Sequence, residues 1–327
     1  MRSPIAPFSS GLQEVLALRS KGALPYPDRY PDRYRGIALA VGSSVVLSTT
    51  AILIRLLTDQ YRMKPLVLAL WRAGLVAGTL LLGLALLRPR ALQIRSHDLT
   101  LLAPYGLVLA CMNVLYTLSV ALNGAAVSTV LVYTSSAFTV LLGRAYLAER
   151  LNGAKLVAVA LSSFGCLLVS RATAGAFRTG GFGGIAIGIL SGLSYAVFTV
   201  LGRSASQRGL NPWTTLLYVF GLSAAFQLVG NLALGASLPE GLPGGAARPS
   251  DLLWPEGTLP GWGLLFALAA GPTVIGFGLY NSSLSYVSAG AVNLIATLEP
   301  LLTAAIAYLF LHERMTTAQL LGSGLIL

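Results

Sequence analysis

Residues 288–314 read SAGAVNLIATLEPLLTAAIAYLFLHER, an apolar stretch that carries a carboxylate, Glu299, and a helix breaker, Pro300, near its middle. The stretch is long enough to cross a bilayer, which takes about 20 apolar residues at 1.5 Å rise each. A charged side chain in hydrocarbon costs several kcal/mol, about 2.5–3.5 on insertion scales, so such residues usually face a cavity or a partner. Glu299 is therefore expected to face the protein interior.

Pro300 supports the same interpretation through the backbone. Proline has no N–H, so the carbonyl of Ala296, four residues earlier, loses its helical partner. Loosened backbone at membrane depth is tolerated only inside protein or beside water. We therefore predict that this segment is a broken helix that lines the functional cavity, and that the other helices enclose it.

The composition is that of a polytopic membrane protein. Hydrophobic residues make up 55% of the 327 positions and charged residues only 10%, and the mean hydropathy is +0.75. Such values leave no room for a soluble domain. The net charge of +11 comes from basic residues that stand singly at predicted helix ends and in short loops. This pattern indicates topogenic charge rather than a nucleic-acid partner.

Ten apolar segments predict ten transmembrane helices in an all-α fold, after a proline-rich tail at 1–34. The tenth segment is too short to cross, so we expect it to be an incomplete helix. The predicted spans are 36–57, 65–88, 99–121, 125–148, 154–170, 182–202, 212–235, 261–281, 288–311 and 317–327.

Basic residues are distributed unequally between the two sides of these spans. Fourteen Lys and Arg residues fall on the side of the N-terminus and seven on the opposite side, while Arg72 lies within the second span. Because positively charged loops stay in the cytoplasm, the N-terminus is predicted to be cytoplasmic.

The chain also contains an internal repeat, with halves at 35–171 and 182–327. The motif AYLAER at 145–150 returns as AYLFLHER at 307–314, and an offset of 164 also places Tyr116 on Tyr280. Five spans per half would turn the second copy upside-down in the membrane, an arrangement typical of secondary transporters. We therefore predict two inverted five-helix repeats.

Three motifs at the end of the chain carry a family resemblance. The Glu-Pro pair of span nine is followed by YLFLHER at 308–314 and by QLLGSGLIL at 319–327. Together they resemble the EamA-type drug/metabolite transporter superfamily, over about residues 35–327. The chain departs from that pattern in span four, where it has Ser135 and Ser136 and many relatives carry proline. The resemblance therefore does not imply a matching kink in span four.

The resemblance implies a secondary transporter in the bacterial inner membrane that works by alternating access. The aromatic-rich interior and basic tail are most similar to exporters of amino acids, including aromatic ones. The implied partners are a small-molecule substrate and the lipid bilayer, with a monomer as the expected state. The sequence carries no nucleotide loop, metal-ligand cluster or catalytic triad, so we expect no cofactor, no metal and no enzymatic activity.

Two charged residues deep in predicted spans are the main site candidates. Glu299 is interpreted either as a site for a substrate ammonium or a proton, or as half of a structural ion pair. Arg72 could pair with Glu299, hold a substrate carboxylate or extend to the outer headgroups. Helical rise puts both residues at nearly the same depth.

Other polar or aromatic side chains in the spans are candidates for the same cavity. Aromatic rings offer an apolar, π-bearing wall for flat or cationic substrates. The remaining predicted substrate-binding residues are Trp71, Asn113, Tyr116, Tyr133, Ser135, Tyr280 and Asn293.

Three alternatives to an amino-acid exporter stay open from the sequence. One is an exporter of other amphipathic drugs or metabolites, and another is a membrane-embedded lipid-modifying enzyme. Such an enzyme would need convergent carboxylates or histidines at one depth, and only Glu299 meets that condition. The third is a channel or scaffold, since inverted repeats also occur in channels.

Overall fold

The computed structural model of the chain describes residues 30–123, 125–147, 153–171, 177–234, 249–254 and 257–311, with the isolated positions 317, 321 and 325. All regular elements in these ranges are helical. The α-helices are α1 (Tyr30–Leu47), α2 (Thr50–Asp59), α3 (Pro65–Leu87), α4 (Leu99–Asn123), α5 (Ala125–Tyr133), α6 (Ser135–Tyr146), α7 (Gly153–Arg171), α8 (Phe177–Gln207), α9 (Pro212–Leu234), α10 (Leu259–Leu268), α11 (Phe277–Ser283), α12 (Ala289–Ala296) and α13 (Leu298–Leu311).

Shorter elements complete the described chain. A π-helix at Ala269–Gly276 joins α10 to α11. Three 3-10 turns lie in the loops, at Pro89–Leu92, Ser96–Asp98 and Pro249–Leu253. Helices thus occupy the first nine predicted spans, whereas most of the tenth span and most of the predicted tail lie outside the described residues.

By length and composition, six helices in the described part of the chain can cross a membrane. A further apolar helical segment, Ala289–Thr303, is shorter. The chain is therefore a multi-pass, all-helical membrane protein. The six crossing segments are Asp32–Asp59, Pro65–Leu87, Ser96–Asn123, Gly183–Gln207, Pro212–Ala233 and Leu259–Ser283.

Three of the predicted spans are broken near their middle, and a break was predicted for the ninth span only. The first is interrupted at Ser48 and Thr49, the fourth at Thr134 and the ninth at Thr297. Each of the three threonines donates a hydrogen bond to the carbonyl three residues earlier, with Oγ1–O distances of 2.9, 2.7 and 2.6 Å. A side-chain bond of this kind competes with the helical backbone ladder and bends the helix.

The eighth span loses α-helical regularity through its π-helix. Pro272 lies inside this segment, and the Thr273 hydroxyl donates to the Leu268 carbonyl five residues back, at 2.8 Å. π-Helical turns are rare and concentrate at functional sites. The first, fourth, eighth and ninth spans therefore all have irregular backbone, and all four contribute residues to the lining of the interior cavity.

A close approach between α8 and the break at Thr134 holds this arrangement together. A Cβ at Gly192 would lie 2.5 Å from the Thr134 hydroxyl and 3.0 Å from the carbonyl oxygens of Leu131 and Val132. Only glycine allows the two backbones to come this near. Elsewhere in the bundle α4 packs along α8 and α9, and α9 packs on α3.

The two halves share side-chain contacts at equivalent positions. The hydroxyls of Tyr116 and Thr129 are hydrogen bonded at 3.3 Å. At an offset of 164, the Asn293 amide donates to the Tyr280 hydroxyl at 3.4 Å. Equivalent pairs of residues therefore connect the third and fourth spans in one half and the eighth and ninth spans in the other.

Candidate functional site

A small cavity lies among the broken helices. Its volume is about 50 Å³. That is room for one or two water molecules, whereas small-molecule pockets usually measure about 300–1,000 Å³. The cavity is lined by Leu47, Thr50, Arg72, Met112, Asn113, Tyr116, Val132, Tyr133, Tyr195, Phe277 and Glu299.

Glu299 occupies one side of the cavity. It is 7% exposed and lies in the first turn of α13, where unpaired backbone N–H groups favour a carboxylate. The Tyr133 hydroxyl donates a hydrogen bond to its Oε2. Pro300 follows in the same turn, where a missing N–H leaves no helical bond unmade. The helix break that was predicted from Pro300 is thus present, at Thr297.

Arg72 lines the same cavity from α3. It is 3% exposed, so its side chain does not extend to the headgroups. Its Nη2 donates to the Asn113 Oδ1 at 2.6 Å. The Arg72 Nε and the Asn113 Nδ2 are both buried and have no hydrogen-bond partner among the described residues. An unmet buried donor costs about 1–3 kcal/mol, so these two donors need an acceptor.

Arg72 and Glu299 do not pair with each other. The ion pairs between described residues are Arg55–Asp59 and Lys64–Asp251, and neither includes a cavity residue. The structural ion pair considered from the sequence is therefore absent from this conformation. Two opposite charges face one cavity while each is hydrogen bonded to a neutral side chain.

Aromatic rings form part of the cavity wall. Tyr195 lies with its ring centroid 6.3 Å from that of Tyr133 and 5.6 Å from that of Tyr280. Behind it, Phe198 packs edge-on against Phe277 at 5.6 Å. This continuous aromatic surface gives the cavity an apolar wall beside its two charges.

Three of the predicted site residues belong to a neighbouring buried cluster instead of the cavity lining. The Asn293 Oδ1 accepts from the hydroxyls of Ser135 and Ser136, at 3.0 and 3.1 Å. Its Nδ2 donates to Thr199 and Tyr280, at 3.3 and 3.4 Å. The amide of Asn293 is thus fully used in joining α6, α8, α11 and α12.

Trp71 lies apart from both groups. Its indole Nε1 donates to the Leu252 carbonyl at 2.6 Å, and its ring meets that of Trp262 edge-on with centroids 4.9 Å apart. The structure therefore places Trp71 at the end of the bundle where α3 begins. Five of the nine predicted substrate-binding residues do line the cavity, namely Glu299, Arg72, Tyr116, Tyr133 and Asn113.

Sequence reasoning missed several lining residues. Thr50 follows the first helix break, and its buried hydroxyl has no partner among the described residues. The run Ser48-Thr49-Thr50 inside an apolar span was the available signal for that break. Tyr195 and Phe277 carried no signal of their own, because an aromatic residue in an apolar helix is equally compatible with packing against lipid or other helices.

A metal site does not emerge from this arrangement. In the part of the chain that the structure describes, no three histidine, cysteine or carboxylate side chains lie close enough to hold an ion.

The chain has clear relatives among known proteins. The profile of the EamA-like transporter family matches residues 34–171 and 182–327. The probable amino-acid metabolite efflux pump of Escherichia coli is 27% identical over 270 residues, which cover 82% of this chain and 84% of that protein. An uncharacterized transporter of Archaeoglobus fulgidus is 31% identical over 144 residues. That match covers 44% of this chain and only 45% of the relative's length.

A solved structure has the same fold. This crystal structure of a protein superposes on the chain with a TM-score of 0.71 at 14% sequence identity. The superposition covers 90% of this chain and 94% of that one.

Proposed function

The chain belongs to the EamA-like transporter family, and from this premise we propose that it exports zwitterionic amino acids, including aromatic ones, by alternating access. One observation carries the proposal. Arg72 and Glu299 are buried, opposite in charge, and line one cavity without pairing. An amino acid has the complementary pair of charges, an ammonium and a carboxylate, both attached to its α-carbon.

Each half of the zwitterion has a matching group in the cavity. The Arg72 Nε and the Asn113 Nδ2 are adjacent unpartnered donors, as a carboxylate requires, and an arginine can hold a carboxylate through two bonds. The Glu299 carboxylate would accept from the ammonium while it keeps its bond from Tyr133. The aromatic surface at Tyr195 would then contact an aromatic side chain.

Substrate binding requires the cavity to widen, because about 50 Å³ does not hold an amino acid. Breaks at Thr49, Thr134 and Thr297 provide points where the spans can bend. We propose that bending at these breaks opens the site alternately to the two sides of the membrane. The family premise and the name of the Escherichia coli relative both favour export over the enzyme alternative.

Counterflow in proteoliposomes tests this assignment with four matched compounds. They are phenylalanine, its C-terminal amide, its N-acetyl derivative and phenethylamine, which lacks the carboxylate. We expect the wild-type protein to exchange only the free amino acid. Arg72→Gln should reduce the ratio of phenylalanine exchange to phenylalanine amide exchange. Glu299→Gln should reduce the ratio of phenylalanine exchange to N-acetylphenylalanine exchange.

The proposal would be overturned by unchanged discrimination in both variants, provided that both are folded and transport. Counterflow itself separates a carrier from a channel, because a channel lets labelled substrate equilibrate but does not make it accumulate transiently above its outside concentration.

A further inference from the structure

Two hydrogen bonds at opposite ends of the bundle join the two halves of the chain in the same way. At one end the Trp71 Nε1 donates to the Leu252 carbonyl, and at the other the Tyr218 hydroxyl donates to the Leu92 carbonyl. Both distances are 2.6 Å. We call the first contact the far clasp and the second the near clasp, since the near end is the one where α1 begins.

The two donors occupy equivalent positions in their halves. Pro65 is the first residue of α3, and Trp71 comes six residues later. Pro212 is the first residue of α9, and Tyr218 comes six residues later. Each half thus places an aromatic hydrogen-bond donor in the second turn of its second span.

The two acceptors are equivalent as well. Leu92 is the third residue after Pro89 in one 3-10 turn, and Leu252 is the third residue after Pro249 in another. Both turns lie in the loop that follows the second span of a half. In each clasp the donor comes from one half and the turn from the other.

A second contact reinforces each clasp. At the far end the Lys64 Nζ lies 2.8 Å from the Asp251 Oδ2, in the same turn as Leu252. At the near end the Thr214 hydroxyl donates to the Ala91 carbonyl, also at 2.8 Å. The residue before the acceptor in each turn is therefore also held, by Lys64 just before α3 at the far end and by Thr214 in α9 at the near end.

The clasps are well separated along the membrane normal. Trp71 lies near the beginning of α3 and Leu92 five residues after its end at Leu87. The sixteen helical steps from Trp71 to Leu87 rise about 24 Å, close to the thickness of a hydrocarbon core. Each clasp therefore acts at one end of the bundle only.

We propose that Trp71 and Tyr218 are equivalent positioning residues, and that the balance between the far and near clasps sets which end of the central cavity opens. This inference rests on the proposed alternating access and adds the contacts that bias it. A ligand-independent bias needs a difference in stabilisation between the two states, and opening one end would break the clasp there while the other clasp stays formed.

Cysteine labelling tests the balance directly. Thr50, which lines the cavity, is replaced by cysteine in a Cys111→Ala, Cys166→Ala background. Right-side-out and inverted membrane vesicles are treated with a membrane-impermeant maleimide without any substrate. Trp71→Phe keeps an aromatic ring without the donor, and Tyr218→Phe removes only the hydroxyl.

Opposite effects are expected from the two variants. Trp71→Phe should raise labelling from the far side, and Tyr218→Phe should raise it from the near side, each by about 2- to 10-fold. That range corresponds to about 0.4–1.4 kcal/mol, close to the net value of one hydrogen bond. The double variant should return the ratio of the two sides towards the wild-type value.

Matched controls remove comparable groups outside the clasps. Trp262→Phe changes a ring that packs on Trp71 without bonding to the turn, and Tyr146→Phe removes a hydroxyl for which the described structure shows no bond. Both should leave the side ratio unchanged. If a clasp variant does not fold, Lys64→Met or Thr214→Val weakens the same end, and the same direction is expected.

The inference is overturned if both clasp variants shift the labelling ratio in the same direction, or if neither shifts it. The two hydrogen bonds would then only stabilise the fold. The labelling needs no substrate, so its outcome does not depend on the proposed amino-acid substrate. If the two variants shift the labelling ratio in opposite directions but the protein does not exchange amino acids, the role of the clasps is supported and the substrate assignment is overturned.

Discussion

At the scale of single residues, the arrangement of two charges decides what the cavity can do. Arg72 donates to Asn113 and Glu299 accepts from Tyr133, so each charge is hydrogen bonded to a neutral side chain that also lines the cavity. Removing one charge of a buried pair commonly costs about 3–5 kcal/mol because the other is left unmatched. Here that penalty is not expected, since the two charges are not in contact.

The first prediction concerns Glu299→Gln. The amide carbonyl can still accept from Tyr133, so the free energy of unfolding should change by no more than about 1 kcal/mol. Losing a charged hydrogen-bond acceptor should raise the apparent KM for an amino acid by about 10- to 100-fold. If Glu299 is also the group that titrates during transport, the variant should lose pH dependence, because an amide does not ionise.

Detergent-extracted melting and liposome transport of the same three proteins check this prediction. The proteins are Glu299→Gln, Arg72→Gln and the double variant. A structural pair would make Glu299→Gln unstable and let the double variant recover stability, contrary to the separate hydrogen bonding seen here. If Glu299→Gln has normal stability, transport rate and pH response, the carboxylate has neither a role in transport nor a role in a structural ion pair.

A second prediction concerns the hydroxyl that holds this carboxylate. Tyr133→Phe removes the donor to Glu299 but keeps the ring that contacts Tyr195. We expect a loss of about 1.5–3 kcal/mol in stability, the usual value of a hydrogen bond to a charged group. Thermal melting of Tyr133→Phe alone and with Glu299→Gln checks it, since the second change should reduce the effect of the first.

At the scale of elements, the broken helices show what the sequence could and could not predict. Pro300 is a recognisable helix breaker, so a break in span nine was predictable, within a few residues of Thr297. Span four carries Ser135 and Ser136 instead of proline, and a kink there could not be inferred. Its break at Thr134 arises from a threonine side-chain bond, which many unbroken helices also contain.

A third prediction compares two glycines in apolar helices, Gly192 in α8 and Gly74 in α3. Gly192→Ala would drive a Cβ towards the Thr134 hydroxyl and the backbone of α5, which cannot move away cheaply. A destabilisation of about 1–3 kcal/mol is expected from such overpacking. Gly74 has no atom within 4 Å of its Cβ position, so Gly74→Ala should be neutral or stabilise by up to about 1 kcal/mol.

Melting temperatures of these two variants, measured side by side in the same detergent, check the comparison. Equal effects of the two changes would mean that α8 does not approach the Thr134 break as closely as described.

A fourth prediction separates two roles for Asn293. Its amide bonds Ser135, Ser136, Thr199 and Tyr280, so Asn293→Ala should cost about 1–3 kcal/mol or more of stability by leaving buried hydroxyls unmatched. The KM of the folded fraction should change little, because the residue does not line the cavity. A large rise in KM at unchanged stability would make Asn293 a substrate ligand instead.

At the scale of the whole molecule, hydropathy was sufficient to predict an all-helical membrane protein and the approximate limits of its helices. The cavity was only partly predictable. A charge inside an apolar span is conspicuous, and both Arg72 and Glu299 were found in this way. Tyr195 and Thr50 reach the cavity through helix rotation and bending, which depend on long-range packing that the local sequence does not encode.

The last prediction concerns orientation. Fourteen basic residues against seven predict a cytoplasmic N-terminus. Gln60 follows α2 and Gln93 follows α3, and both are exposed. The 23 residues of α3 between them rise about 35 Å, so the two positions should lie on opposite sides of the membrane.

Single cysteines at these two positions, in a background without Cys111 and Cys166, make the orientation measurable. An impermeant maleimide should label Gln60→Cys only from outside the cell and Gln93→Cys only from the cytoplasmic side of inverted vesicles. The reverse pattern would invert the predicted topology. The far clasp would then lie on the cytoplasmic side and the near clasp on the outer side. Labelling of both positions from one side would show that α3 does not cross the membrane. That result would contradict the expectation from its length and apolar composition.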